Sequence, residues 1–280
     1  MMDDRYLDLL KKVLTGNIYQ EESAFSVVEP KSGWSPAVIM KRMIIKIAAS
    51  HGIRLTKSCK FVPEEREEGR DWPGLGYTMV GLKRLDNVQH AIETVIRERI
   101  PGDLCECGVW RGGTAMFMRA ALMHYGENGR SVWVADSFSG LPKPDTVRYP
   151  GDSSSQDHSE VDYLSVSLKR VRQNFQEFGL LDENVRFLEG WFKDTLPTAP
   201  IKQLAILRAD GDLYESTMDI LINLYGKVVP GGFVIIDDYY SWEGCRLAVT
   251  DFRASREIVA PIERIDWTGA YWRIPPAFAR

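Results

Sequence analysis

Four carboxylates stand in two groups that one βα unit would separate: Asp210-Gly211-Asp212, and Asp237-Asp238 at a distance of 27 residues (237 − 210). Each group follows an apolar run of strand character, LAILRAD and GFVIIDD. Adjacent parallel strands would bring the two groups together. Like charges in one cleft repel unless a cation neutralises them. Hard oxygen donors favour Mg²⁺ or Ca²⁺ over zinc. Mg²⁺ commonly keeps positions open for substrate oxygens, which suits a diol. Without a metal, the same aspartates would serve as helix caps and turn formers.

A second constellation is Glu106-Cys107-Gly108-Val109-Trp110-Arg111-Gly112-Gly113. It reads as a strand, a glycine turn and a helix start, in which glycine permits close approach of the backbone to a ligand. It is not the GxGxxG of a dinucleotide site. Glu106, inside the strand end, would repel a pyrophosphate but suits an ammonium group such as that of a methionyl moiety. Asp136 comes 28 residues after Gly108 (136 − 108) and ends the next strand, SVWVAD. An acid there can accept hydrogen bonds from ribose hydroxyls. Ser137 and Phe138 follow it. Gly190-Trp191 closes another strand, and the Trp191 ring is either a neighbour for adenine or a packing group.

These residues need a scaffold, and the chain supplies one from about residue 103. Strand-like runs at 103–108, 131–136, 184–190, 204–210 and 232–238 alternate with helical spacing at 114–125, 163–178, 216–227 and 245–256. Two late strands are expected at 262–266 and 270–274. Alternation of this kind implies a parallel sheet covered on both faces, with ligands beyond the carboxyl ends of the strands. Residues 1–100 read as a helical extension with a lid, and 101–280 as the catalytic domain. Helices are expected at 6–14 and 38–49, and a third carries Leu82, Leu85, Val88, Ile92, Val95 and Ile96 on one face. The polar stretch 61–76 reads as a loop or mobile lid leading into Thr78 and Met79.

With 44% hydrophobic and 26% charged residues, the chain can build a packed core. A net charge of −4 without a basic run argues against nucleic acid. Cys59, Cys105, Cys107 and Cys245 form no CxxC pair and read as small core residues in a reducing compartment. No apolar stretch at the N-terminus suggests a signal or a span, so a soluble cytoplasmic protein is expected.

Taken together, these motifs resemble the macrocin O-methyltransferase (TylF) family, which includes the mycinamicin and novobiocin sugar O-methyltransferases. The resemblance rests on Gly69 to Pro73 (GRDWP), Tyr77 to Leu82 (YTMVGL), Arg84 to Asn87 (RLDN), Glu106 to Gly113 (ECGVWRGG), Asp136 to Gly140 (DSFSG), Asp210 to Thr217 (DGDLYEST) and Gly231 to Asp238 (GGFVIIDD). It implies an α/β class I methyltransferase fold, Rossmann-like, with a seven-stranded, mostly parallel sheet. It also implies bound S-adenosylmethionine, and Mg²⁺ on Asp210, Asp237 and Asp238 gripping vicinal hydroxyls of the acceptor. The expected cofactor contacts are Thr78, Met79, Glu106, Cys107, Gly108, Val109, Trp110, Asp136, Ser137, Phe138, Ser167, Gly190 and Trp191. Either Asp210 or Asp212 would take the hydroxyl proton. His158, in a Ser/Asp-rich loop, reads as a surface residue, with reach into the cleft as the alternative.

The expected acceptor is a small molecule with vicinal hydroxyls, a glycosylated natural product, and the expected assembly is a homo-oligomer. Residues 30–68 look longer than in the antibiotic-sugar members, which points to a different acceptor. The rival readings are a non-catalytic S-adenosylmethionine-binding protein and a nicotinamide-dependent oxidoreductase.

Overall fold

Parallel strands made largely of apolar runs must be buried on both faces, and helices do this here. The computed structural model describes residues 4–19, 25–27, 35–53, 55–58, 61–153 and 157–275. Cys59 and parts of the 30–68 stretch lie outside the described residues.

The helices and strands of the first hundred residues are α1 (Arg5–Leu14), β1 (Phe25–Val27), α2 (Pro36–Ser50), β2 (Thr56–Ser58), α3 (Pro63–Glu68) and α4 (Leu82–Arg97). There follow β3 (Asp103–Cys107), α5 (Gly113–His124), β4 (Val132–Asp136), α6 (Leu168–Glu177), β5 (Val185–Glu189), α7 (Phe192–Thr195) and β6 (Leu204–Ala209). The last elements are α8 (Tyr214–Leu224), β7 (Val228–Ile236), α9 (Glu243–Ser255), β8 (Glu263–Arg264) and β9 (Ala270–Arg273).

Seven strands form one sheet in the order β5-β4-β3-β6-β7-β9-β8. The five central strands are parallel, and β9 runs antiparallel to β7 with β8 at the edge. This is the seven-stranded, mostly parallel sheet expected from the sequence. The chain reverses its direction of travel between β3 and β6, so the loops after these strands diverge and leave a crevice.

One face of the sheet is covered by α4, α5 and α6, with α1 packed on α4 and α5, and Leu7, Leu14, Leu85, Val88, Ile92, Phe117 and Phe175 are fully buried there in a single cluster. The other face is covered by α8 and α9 through Ile220, Leu221, Leu224, Val249 and Phe252. Cys105, Cys107 and Cys245 are buried free thiols in this second cluster.

Several boundaries differ from the sequence reading. The helix expected over 163–178 begins only at Leu168, because the Ser167 side chain caps its first turn by accepting from Arg170 N–H. The stretch 61–76, read as a loop, contains α3. Its sequence PEEREE has proline at the first position and no apolar stripe, so hydrophobic periodicity could not announce it. Burial of Arg66 fastens it instead. That guanidinium donates to the carbonyls of Met79 (2.7 Å) and Val80 (3.3 Å) and lies 3.2 Å from Asp71 Oδ1. Gly69 ends α3 at φ +67°, where a Cβ would lie 2.5 Å from Gly81 N. Among the described residues, no helix is long and apolar enough to cross a membrane.

Candidate active site

The crevice at the carboxyl ends of β3, β4, β6 and β7 is a cleft of ≈ 390 Å³. It is the size of a small-ligand site. Three residues other than glycine take positive φ in the loops that frame it: Trp110 (48°), Phe138 (52°) and Asp212 (52°). Such strain collects where a structure must aim side chains at a ligand. Gly108 has φ +84°, and a Cβ there would lie 2.0 Å from the carbonyl oxygen of Asp210. Only glycine lets the turn after β3 approach the end of β6 this closely.

Thr78, Met79, Glu106, Gly108, Val109, Trp110, Asp136, Ser137 and Trp191 all line the cleft, as do Asp210, Asp212, Asp237 and Asp238. Four expected cofactor contacts do not line it. Cys107 points into the core, with its sulfur 3.8 Å from that of Cys105. Phe138 is packed in the opposite core cluster. Ser167 is occupied as the cap of α6, and Gly190 closes the turn by donating its N–H to the Asp136 carbonyl. His158, read as a surface residue, lines the cleft between two tryptophan rings.

The carboxylates are arranged around two arginines that the sequence reading passed over. Arg208, on β6, is 1% exposed. It donates to Glu106 Oε1 (2.7 Å) and Asp210 Oδ2 (3.0 Å) and pairs with Asp237. Arg84, from α4, reaches Asp237 as well. It also bonds Asp266 Oδ2 (3.0 Å) and the Gly69 carbonyl (3.3 Å). The clue was present in LAILRAD: a cation inside an otherwise apolar strand is too costly unless carboxylates receive it.

The two arginines do not satisfy all the acids. Burial would raise Asp237, but Arg208 and Arg84 outweigh it and hold its carboxyl below the ordinary range. Glu106 is pushed up to about 8 by burial, which Arg208 offsets only in part. Asp210 is pushed up to about 6, by burial and then by the charge of Asp237. Asp212 and Asp238 also stand well above the ordinary range, through burial and then their acidic neighbours. With Asp266 on Arg84, six carboxylates cluster about two guanidinium groups, which leaves a deficit of positive charge.

That deficit suits cationic ligands. Asp210, Asp237 and Asp238 each offer an oxygen, and the three lie within 4.8 Å of one another. Asp238 Oδ2 is buried without a hydrogen-bond donor, as is Glu106 Oε2. An all-carboxylate donor set fits a hard divalent cation, and Glu106 fits an ammonium group. Asp212 stands outside the set of three. Asp136 accepts 2.7 Å hydrogen bonds from the N–H groups of Val109 and Phe138, one on each oxygen. Each of its oxygens keeps capacity for a further donor such as a hydroxyl.

Comparison with known proteins adds to this geometry. The Macrocin-O-methyltransferase (TylF) family profile matches residues 3–274. The 8-demethyl-8-(2,3-dimethoxy-alpha-L-rhamnosyl)-tetracenomycin-C 4'-O-methyltransferase of Streptomyces olivaceus is 47% identical, over 99% of this chain and 95% of that one. The demethyldecarbamoylnovobiocin O-methyltransferase of Streptomyces niveus is 45% identical, over 96% of this chain and 92% of its own length. Among solved structures, the O-methyltransferase NovP superposes with a TM-score of 0.81 at 44% identity, covering 96% of this chain and 98% of that one.

Proposed function

This chain belongs to the macrocin O-methyltransferase (TylF) family and is an O-methyltransferase of the EC 2.1.1 class; from that premise we propose that it methylates a sugar hydroxyl of a glycosylated natural product, with Mg²⁺ held by Asp210, Asp237 and Asp238. Membership sets aside the oxidoreductase and the non-catalytic binding protein. S-adenosylmethionine is the methyl donor the family implies.

The observation that carries the metal reading is the set of three oxygens within 4.8 Å, together with the buried, undonated Asp238 Oδ2. The sugar reading is supported by the relative from Streptomyces olivaceus, whose own name specifies a rhamnosyl-bearing acceptor. When bound, the cofactor supplies a methyl group on a sulfonium, and Mg²⁺ would acidify a coordinated hydroxyl and fix a neighbouring one.

The chain's own residues divide the remaining work. Glu106 receives the ammonium of the cofactor and Asp136 its ribose hydroxyls. Glycine at 108 keeps the β3 turn close to Asp210, and so holds donor and acceptor sites adjacent. Asp212, beside the three metal-holding aspartates but outside them, takes the hydroxyl proton; Asp210 is the alternative if one of its oxygens is left for the proton. The segment 61–76, fastened by the buried Arg66, already lines the cleft through Gly69, Arg70, Asp71 and Trp72 and helps to exclude water. Helix α2 leaves Ile39, Met43, Ile44 and Ile47 about half exposed, which supports a homo-oligomer.

Incubation with S-adenosylmethionine and a panel of deoxysugar glycosides, with the product mapped by NMR, tests the activity. The expected product carries one new O-methyl group on a ring hydroxyl that has a hydroxyl neighbour. Methylation of the aglycone alone, or of nitrogen, would refute the reading.

A further inference from the structure

A continuous chain of five rings runs along the cleft, in which Trp110, Trp72, His158 and Trp242 line the cavity and Tyr163 backs them. Trp110 lies against Tyr163 (centroids 5.1 Å apart), Tyr163 against Trp72 (5.4 Å), Trp72 against His158 (5.9 Å) and His158 against Trp242 (5.7 Å). The chain joins four segments: the turn after β3, the long connection after β4, the stretch after α3 and the loop after β7. At one end stands the glycine turn of the cofactor side. At the other, the backbone N–H of Trp242 donates to the carbonyl of Asp238, one of the clustered aspartates. The ring wall therefore runs past both partners of a methyl transfer and out toward solvent at Trp72.

Trp72 is held as a platform. One face stacks on Tyr163 at 10° between planes, yet the residue remains 43% exposed. Tyr163 is fixed from both ends: its hydroxyl donates to the Pro73 carbonyl (2.6 Å) and its carbonyl accepts from Trp110 Nε1 (2.8 Å). His158 stands edge-on to both tryptophans, at 87° to Trp72 and 80° to Trp242. A rigid, partly exposed ring that lines a cleft loses little entropy on binding and favours a flat π-surface.

The acidic end of the cleft can hold a sugar through its hydroxyls, and nothing in it recognises what the sugar is attached to. We propose that Trp72, His158 and Trp242 form the subsite for the aglycone, and that the ligand this subsite takes is a flat aromatic ring system joined to the sugar. The inference rests on the sugar O-methyltransferase reading, because the aspartate cluster must anchor the sugar for the aglycone to lie along the rings. A saturated aglycone of equal size would bury similar area but lose the ring-on-ring contribution, which is worth about 0.5–1.5 kcal/mol, or roughly 2- to 12-fold in affinity.

The test uses the full chain loaded with S-adenosylhomocysteine and Mg²⁺. Two probes are titrated calorimetrically: 2-naphthyl α-L-rhamnopyranoside and its decahydronaphthyl counterpart. The naphthyl glycoside should bind roughly 2- to 12-fold more tightly. In Trp72→Leu, and in Trp242→Leu, that ratio should fall toward one. The melting temperature and the affinity for S-adenosylhomocysteine report whether each variant is folded, and the ratio within one protein is independent of any uniform loss. Equal affinities in the natural protein, no binding of the naphthyl glycoside, or a ratio unchanged in both variants would overturn the aglycone subsite. Methyl transfer, measured separately on the same glycosides, reports on the activity itself: an aromatic preference without any O-methylation would contradict the function and leave the subsite standing.

Discussion

Replacing Arg208 by methionine tests whether the site is built around a buried cation. The guanidinium is 1% exposed and serves three carboxylates. Asp237 would keep Arg84, so the uncompensated groups in the variant are Glu106 and Asp210. Breaking a buried ion pair on one side costs about 3–5 kcal/mol. For a chain of this size each kcal/mol lowers the melting temperature by about 2–4 °C, so a fall of roughly 6–20 °C is expected at pH 8. Both orphaned acids can escape the penalty by taking up protons, so the fall should shrink at pH 5. Arg208→Lys retains the charge but not the fork that reaches three acids, and should lie between the two. Differential scanning fluorimetry of metal-free protein at both pH values measures this. A fall of under about 2 °C at pH 8, or one that is no smaller at pH 5, would refute the charge argument.

Three further outcomes follow from the same geometry. A Mg²⁺ titration of kcat should show Asp210→Asn needing more metal, while Asp212→Asn keeps a near-normal metal requirement and loses about 10²–10⁴-fold in kcat; normal turnover by Asp212→Asn would make Asp210 both ligand and base. Asp136→Ala should weaken S-adenosylhomocysteine binding by about 1.5–3 kcal/mol in calorimetry, and an unchanged affinity in a folded variant would remove the ribose role. Glu106 at about 8 and Asp210 at about 6 exceed their ordinary values of 4.5 and 3.8. A raised carboxyl stabilises the fold fully only below its unfolded value and loses that contribution as pH rises through the folded one. The metal-free protein should therefore melt at progressively lower temperature from pH 5 to pH 8.5, whereas a steady rise over that window would count against the assignment.

The sheet was legible in the sequence because its strands are continuous apolar runs whose acids and glycines fall at their carboxyl ends. Asp136, Asp210, Asp237 and Asp238 therefore line the cleft as expected. What escaped were features whose cause is tertiary. Arg84 and Arg208 read as ordinary cations until the fold places three acids around one and two around the other. Helix α3 has no apolar stripe and is held by polar contacts, chiefly those of the buried Arg66. His158 sits in a polar run that reads as surface, and only the packing of Trp72 and Trp242 draws it into the cleft. Ser167 does not line the cleft for a local reason, since a serine one residue before a helix is engaged by the backbone it caps.

The central claim is that the three aspartates serve a divalent cation during methyl transfer to a sugar. Production of S-adenosylhomocysteine from S-adenosylmethionine and a deoxysugar glycoside, followed before and after exhaustive treatment with EDTA, tests it most directly. Turnover should fall to background in chelator, return on addition of Mg²⁺, and leave S-adenosylhomocysteine binding intact throughout. Full turnover in metal-free protein would contradict the account.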